Sequence, residues 1–202
     1  MGSLSGDLEM VMRKTALLAV VCLILGADSL KGTDWGFSAG AGMCLLRQKG
    51  VRDVYGSGFP IGIQAWTGWN NWRVSVGLEY LSEHGQAVSL DGGQDEFPLR
   101  LRVTSIPIAL YYQVWIEDVF LAVGGGANYF WHEERWEDLD IVVKGQKWGP
   151  LLSFLGGYRL NPRWAVFGNV RYDPMPTGKS SLLVREVKLG GLKIGAGVIF
   201  SL

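Results

Sequence analysis

Apolar side chains recur at every second position from residue 34 to the end of the chain. In the first such segment Trp35, Phe37 and Ala39 fall on one face, whereas Ser38 and several glycines fall on the other. Side chains alternate between the two faces of a β-strand, so this period of two predicts strands rather than helices. The composition agrees with strands. The chain has 29 glycines among its 202 residues, and each glycine inside a helix costs about 1 kcal/mol relative to alanine.

The alternating pattern occurs in eight segments, separated by connections of two kinds. The segments lie near residues 35–45, 59–69, 72–81, 102–114, 118–131, 147–160, 163–173 and 188–200. Short connections lie at Asn70-Asn71, around Ile116-Glu117 and at Asn161-Pro162. Long polar stretches lie at 46–58, 82–98, 132–146 and 174–187. Tight turns at one end and long loops at the other predict an all-β fold, an eight-stranded antiparallel up-and-down transmembrane β-barrel.

The stretch 104–131 could instead be a membrane helix, because its only charges are Glu117 and Asp118. Pro107 and the glycines at 124–126 disfavour a helix. Divided at the two acids, the stretch gives two uncharged arms. Each arm is longer than the roughly 9–11 residues with which a tilted strand crosses a bilayer. We therefore predict that strands four and five form a hairpin with its turn at Glu117-Asp118.

The residue types on the two faces distinguish a membrane barrel from a soluble, lipocalin-like barrel with a secretion signal. One face of each segment is bulky and uncharged, and the other is small or polar and carries the charges. Eight strands enclose too little space for a lining of large side chains. We therefore expect the bulky face on the outside, against lipid. An aqueous exterior so apolar would aggregate, which disfavours the soluble alternative.

Aromatic residues are expected to form two belts that bracket the apolar band at the membrane interfaces. The belt beside the short turns would contain Trp69, Trp72, Tyr112, Trp115, Tyr158 and Trp164. The belt near the loops would contain Phe59, Tyr80, Trp131, Trp148 and Tyr172.

Residues 34–202 resemble the small outer-membrane β-barrel proteins of diderm bacteria, the OmpW, OmpA-barrel and opacity-type group. SIPIALYY at 105–112 is similar to a fourth strand common in this group, and LNPRWAVFGNVRY at 160–172 is similar to its seventh. The resemblance implies a location in the bacterial outer membrane, surrounded by outer-membrane lipid. It also implies periplasmic termini and long loops outside the cell.

The last strand resembles the signal that is read by the barrel-assembly machinery. Residues 193–200, KIGAGVIF, match its order of polar, glycine, hydrophobic and aromatic positions. The chain continues with Ser201 and Leu202, whereas such proteins usually stop at the aromatic residue. The resemblance therefore implies an interaction with this machinery through residues 193–200.

The first 27 residues are typical of a signal-peptide region. A basic start at 12–14 precedes an uncharged, largely apolar run at 15–27, which is too short to span a bilayer but suits a signal peptide. Acidic residues before position 12 are unusual in such a segment, so we expect the native start at Met12 or Met10.

Cleavage after residue 27 would leave residues 28–202 as the barrel domain. Cys22 would be removed, and Cys44 would then be the only cysteine. Retention of Cys22 as a lipidated residue is the alternative.

Several charged residues fall on the face that we expect to line the lumen. Glu79, Arg171 and Lys193 lie at comparable depth in three different strands, and Arg73 and Arg159 lie nearer the short turns. They could form a constriction that selects solutes. Alternatively, they could form a salt-bridge network that fills the lumen, because an unpaired buried charge is costly.

An acidic segment, HEERWEDLD at 132–140, lies in the third long stretch. It could bind divalent cations, a basic host partner or envelope lipid, or it could be a solvated loop. The surface-binding candidates are Glu133, Glu134, Trp136, Glu137, Asp138 and Asp140.

For function the sequence leaves two hypotheses. The first is an OmpW-like narrow channel for small solutes, which the resemblance implies are hydrophobic. The second is a surface-exposed adhesin or structural barrel whose loops bind host or envelope components while its lumen is plugged. The two histidines, His84 and His132, lie in predicted loops and lack the setting of a lipid deacylase, so we expect no enzymatic activity and no cofactor or metal. With 19 basic and 19 acidic residues, we expect no nucleic-acid partner.

Overall fold

The computed structural model describes residues 34–46, 49–88, 96–138, 141–173 and 190–202. These residues form a closed ring of eight antiparallel strands, in which each strand pairs with the next and β1 pairs with β8. The strands are β1 (Asp34–Leu46), β2 (Ile61–Trp69), β3 (Trp72–Val88), β4 (Glu96–Ile116), β5 (Val119–Trp136), β6 (Ile141–Arg159), β7 (Trp164–Tyr172) and β8 (Gly191–Ser201). The predicted fold class is confirmed. The signal-peptide region 1–27, Cys22 and the predicted loop 174–187 lie outside the described residues.

The stretch 104–131 is a hairpin, as predicted. Ile116 of β4 pairs with Val119 of β5, and Glu117 and Asp118 form the turn between them. Glu117 has a φ of 54°, and Asn70 has the same φ in the equivalent turn between β2 and β3. We call the end of the barrel that carries these turns the turn end, and the opposite end the loop end.

Large apolar side chains cover the outside of the barrel. Phe37, Ile63, Leu78, Ile108 and Val123 are all exposed, although each belongs to a regular strand. The intervening positions point inward. Many of them are small, as at Gly40 and Ser75, and several are charged, as at Glu79 and Arg171. This is the inverse of a soluble barrel, and the predicted assignment of the faces is confirmed.

The four middle strands are much longer than the others. β3 to β6 have 17, 21, 18 and 19 residues, whereas β2 and β7 have 9 each. Strands of 9–11 residues are about enough to cross a bilayer, so this wall extends beyond the apolar band at the loop end. The predicted loops at 82–98 and 132–146 are therefore largely wrong, because paired strands extend into both from each side, for example between His84 and Arg100.

The predicted loop 46–58 contains a short helix, α1 (Lys49–Tyr55). Its apolar residues Val51, Val54 and Tyr55 are spaced as on one helical face. Val51 and Tyr55 are buried against the inner wall of the barrel. Tertiary packing therefore orders a segment that is too short to be helical by itself. Among the described residues, no helix is long and apolar enough to cross a membrane.

Candidate functional site: a barrel interior closed in three layers

A network of four charged residues crosses the middle of the barrel. Glu79 of β3 accepts two hydrogen bonds from the guanidinium of Arg171 of β7, each 2.5 Å long, and one of 3.0 Å from Nζ of Lys193 of β8. Asp173, just beyond β7, lies 3.3 Å from Nε of Arg171 and 3.3 Å from Nζ of Lys193. In a ring of eight strands β3 and β7 lie on opposite walls, so the network spans the bore. We call these four residues the charge layer.

The charge layer is balanced and withdrawn from water. Its two cations are neutralised by two carboxylates, and Ser105 also points its hydroxyl at Glu79, 3.4 Å away. The side chains of Arg171 and Asp173 are 3% and 0% exposed. An unpaired charge at such a depth would cost several kcal/mol. Gly62 pairs with Glu79 and leaves room for it, because a Cβ at Gly62 would lie 2.8 Å from Cγ of Glu79.

A second layer of large side chains fills the lumen towards the turn end. Trp66, Tyr111 and Phe120 pack there with Leu151 and Leu155. The expectation that the interior is too narrow for such residues is wrong. Glycines on the facing strands make the space. We call this cluster the aromatic layer.

Arg73 and Arg159 do not join the charge layer. Arg73 is buried with its guanidinium 4.2 Å from the ring centre of Trp66. Arg159 stacks at 4.0 Å on Trp115, at the mouth of the turn end. The structure thus separates the five predicted lumen residues into a central group of three and two cation–π pairs nearer the turns.

A third layer, the cap, closes the lumen at the loop end. Val51 and Tyr55 of α1 pack there with inward-facing wall residues. The wall residues are Cys44, Leu46, Leu81, Leu99, Leu101, Val103 and Phe130. Burial, together with the nearby carboxylate of Glu134, raises the pKa of the Tyr55 hydroxyl. Gly85 permits the close approach of α1, since a Cβ there would lie 2.7 Å from the carbonyl oxygen of Val54.

The cap and the charge layer are in direct contact. Nζ of Lys193 lies 5.6 Å from the ring centre of Phe130. Within the described residues, the lumen is therefore occupied from the turn end to the loop end. A small cavity of about 50 Å³ remains beside Glu79, Arg171 and Lys193, against the glycine-rich walls of β1 and β2.

The predicted aromatic belts are largely where the sequence places them. Trp69, Trp72, Tyr112, Tyr158 and Trp164 are exposed on the outer face near the turn end. Phe59, Tyr80, Trp148 and Tyr172 are exposed near the loop end, and Trp131 lies half-buried beside them. The placement of Trp115 is wrong. Trp115 pairs with the inward-facing Phe120, and their ring centres are 5.0 Å apart.

The acidic segment does not form one surface site. Residues 132–136 belong to β5, so their side chains alternate between the two faces. Glu134 is buried inside and Trp136 packs against the cap, which corrects their assignment to a surface loop. Glu133 points outward, with its Oε2 3.1 Å from Nζ of Lys144.

The remaining acids of this segment lie at its end. Oε1 of Glu137 is 3.7 Å from Nε of Arg100. Asp138 is exposed in the turn after β5. Asp140 lies outside the described residues.

Sequence reasoning missed Asp173 and the residues of the cap. The signal for Asp173 was its alternation in phase with Arg171, two residues earlier. The signal for α1 was the helical spacing of Val51, Val54 and Tyr55.

The fold is shared with bacterial outer-membrane proteins of known structure. Ail, the attachment invasion locus protein of Yersinia pestis, aligns over 84% of this chain and 97% of its own, with 13% identity and a TM-score of 0.53. The outer membrane protein OprG from Pseudomonas aeruginosa aligns over 84% and 94%, with 16% identity and a TM-score of 0.52. A major outer membrane protein from Thermus thermophilus aligns over 83% and 99%, with 14% identity and a TM-score of 0.52.

At these low identities the structural similarity shows the fold alone, which is that of the small eight-stranded outer-membrane β-barrels. No protein-family model and no curated protein matches the chain.

Proposed function

We propose that this chain is an integral outer-membrane β-barrel with a closed lumen, which acts through its outer surface at the loop end. The single observation that carries the proposal is the salt-bridge network from Glu79 to Arg171, which joins opposite walls of the barrel. A buried network of this kind is stable only when every charge keeps its partner. Two packed layers, one on each side, reinforce the closure.

The outer-membrane location follows from the exterior of the barrel. Its exposed apolar band, flanked by aromatic residues, suits lipid and would aggregate in water. In small barrels the short turns lie in the periplasm and the longer connections face outside. On this basis both termini are periplasmic, the turn at Glu117 is periplasmic, and α1 closes the extracellular end. Residues 193–200, which lie in β8, are available to the barrel-assembly machinery as the final strand.

The surface at the loop end is the candidate for recognising host or envelope components. The long strands β3 to β6 lift charged residues above the apolar band. Ail, which shares this fold, has been crystallised with the heparin analogue sucrose octasulfate. A barrel of this fold can thus bind an anionic ligand. We assign no catalytic role: His84 is on the outer face, with its Nε2 2.7 Å from a guanidinium nitrogen of Arg100.

A narrow, OmpW-like uptake channel is the second candidate. The observation that favours it is the cavity of about 50 Å³ beside the charge layer. Two carboxylates and two cations within reach of each other could exchange partners, so that Glu79, Arg171 and Lys193 would act as a gate. A small hydrophobic solute would also need α1 to move, because the cap covers that path.

Solute uptake distinguishes the two candidates. The mature chain, refolded and reconstituted in liposomes, is expected to admit a small sugar and a small hydrophobic solute no faster than protein-free liposomes do. Uptake that rises in proportion to the protein content would overturn the closed-lumen proposal. In that case a loss of uptake in Glu79→Ala would support the channel.

A further inference from the structure

A cluster of basic side chains lies on the outer face of the long wall, beyond the aromatic belt. Arg100 and Arg102 of β4, Arg135 of β5 and Lys144 of β6 all occupy outward positions. In the strand register, Arg100 pairs with Arg135, and Arg102 pairs with Glu133, which in turn pairs with Lys144. We call these four residues the basic patch.

The patch stands directly above the membrane interface. The next outward row of the sheet towards the turn end contains Tyr80, Thr104 and Trp131, which belong to the loop-end belt or adjoin it. Two residues along a strand correspond to about 7 Å. The guanidinium groups are therefore at the height where lipid headgroups begin. Tyr129 and Trp148 stack beside this row, with ring centres 5.0 Å apart, and offer an apolar flank.

Among the described residues, Arg102 is the cation of the patch that its acids leave without a partner. Glu133 pairs with Lys144, and Glu137 lies near Arg100. Within the described part of the chain, no side chain hydrogen bonds to or forms an ion pair with the guanidinium of Arg102. Arg135 is diagonal to Arg102 across the two strands, where side chains are about 7–8 Å apart. Arg100 precedes Arg102 by two residues on β4, which is about 7 Å along the strand. Like charges this close favour an anion between them.

The arginines also line a concave surface. A cleft of about 270 Å³ is lined by three arginines, Arg100, Arg102 and Arg135. Two acids, Glu133 and Glu137, also line it. Guanidinium groups bind phosphate oxygens in a bidentate manner, and several of them can hold one phosphate group.

We infer that the basic patch binds the phosphate groups of a phosphorylated lipid in the outer leaflet of the membrane, with its acyl chains against the aromatic belt below. This inference rests on the proposed location of the barrel and names the envelope component that its surface recognises. The patch faces sideways along the sheet, not upward, and continues directly into the apolar band. This geometry favours a ligand that is itself embedded in the membrane over a soluble polyanion.

The test uses the mature chain refolded in dodecylmaltoside micelles, with bisphosphorylated lipid A as the probe. The wild type is expected to bind this lipid at least about tenfold more tightly than the dephosphorylated lipid, since hydrogen bonds to charged groups are strong. Arg102→Gln together with Arg135→Gln should remove most of that preference. Arg163→Gln is the matched control. It makes the same substitution on an exposed arginine at the turn end and should leave the preference unchanged.

Three binding results would overturn the inference, and a fourth comes from a competition experiment. The three are equal binding of the two lipids by the wild type, an unchanged preference in the double variant, and an equal loss in Arg163→Gln. Heparin and inorganic phosphate identify the source of the anion. If either displaces lipid A completely at low concentration, a soluble anion is the preferred ligand and the inference is wrong.

Binding in micelles does not depend on conductance. A protein that binds the lipid phosphate but admits solutes therefore contradicts only the closed lumen, and a closed protein without the preference contradicts only the basic patch.

Discussion

Glu79 and Arg171 are 92 positions apart in the sequence, yet two hydrogen bonds of 2.5 Å join them across the centre of the barrel. Closure of the ring brings β3 and β7 to face each other across the lumen. This pair ties opposite walls together and leaves no straight path past the charge layer.

Loss of Glu79 should be strongly destabilising. Glu79→Gln leaves Arg171 and Lys193 with Asp173 as their single carboxylate partner in the charge layer. Breaking a buried ion pair costs about 3–5 kcal/mol, and urea unfolding of the protein in lipid vesicles measures the change. Glu133→Gln is the matched control, because it removes the same charge from the exposed pair with Lys144. That pair should contribute at most about 1 kcal/mol. Equal effects of the two substitutions would contradict the account.

Replacement of both members of the pair should be less harmful than loss of one. Glu79→Leu combined with Arg171→Met leaves Lys193 and Asp173 as a neutral pair, 3.3 Å apart. A buried ion pair is often no more stabilising than apolar residues of similar volume. The double variant should therefore recover stability relative to Glu79→Leu alone in the same urea titration. A double variant less stable than Glu79→Leu would contradict the prediction, because Arg171 would then stabilise the barrel without Glu79.

The cap should protect Cys44 from reagents. Its side chain is 1% exposed and packs beneath α1. In the chain from residue 28 onward, a polar maleimide should label Cys44 only after denaturation. Gly85→Val should raise the labelling rate, because a Cβ at Gly85 already collides with the backbone of α1. Gly168→Val is the control, since the nearest atom to a Cβ there is 3.8 Å away. Rapid labelling of the wild type would mean that the cap is open in solution.

Glycine at position 117 should make the protein more stable than the native glutamate does. Glu117 has a φ of 54°, a conformation that disfavours side chains with a Cβ. Glu117→Gly should stabilise the protein by up to about 1 kcal/mol. Asp118→Gly, at the other turn position, lacks this strain and should destabilise slightly. The urea midpoints of the two variants measure these effects. A lower midpoint for Glu117→Gly than for Asp118→Gly would contradict this turn geometry.

The orientation in the membrane can be tested by labelling intact cells. With Cys44 replaced by alanine, Asp138→Cys at the loop end should react with a membrane-impermeant maleimide, and Glu117→Cys at the turn end should not. Both should react in lysed cells. The reverse pattern in intact cells would invert the proposed topology.

Much of this architecture is readable from the sequence because a strand has a strict period of two. That period assigns Glu79, Arg171 and Lys193 to the lumen, and the turn at Glu117-Asp118 follows from the same reasoning. It would also have excluded Trp115 from the belt of Tyr112, since residues three apart in a strand face opposite sides. Likewise, Glu134 cannot share a surface with Glu133.

Other features depend on contacts between distant parts of the chain. The strands beyond the apolar band are charged on their outer face, like those of a soluble sheet, so they resemble loops until their pairing is known. The helix α1 is ordered by Cys44, Leu81 and Leu99, which no local pattern connects to it. The interior position of Trp66 requires glycines on other strands to make room. Register and packing across the ring supply this information, and the linear pattern does not.

Conductance in a planar bilayer tests the closed lumen most directly. The refolded mature chain should show no channel steps at either polarity. Glu79→Ala should show no channel steps either, because the cap and the aromatic layer still occupy the lumen. Stable steps in the wild type, altered in Glu79→Ala, would contradict the closed barrel and identify the charge layer as the gate of a conducting channel.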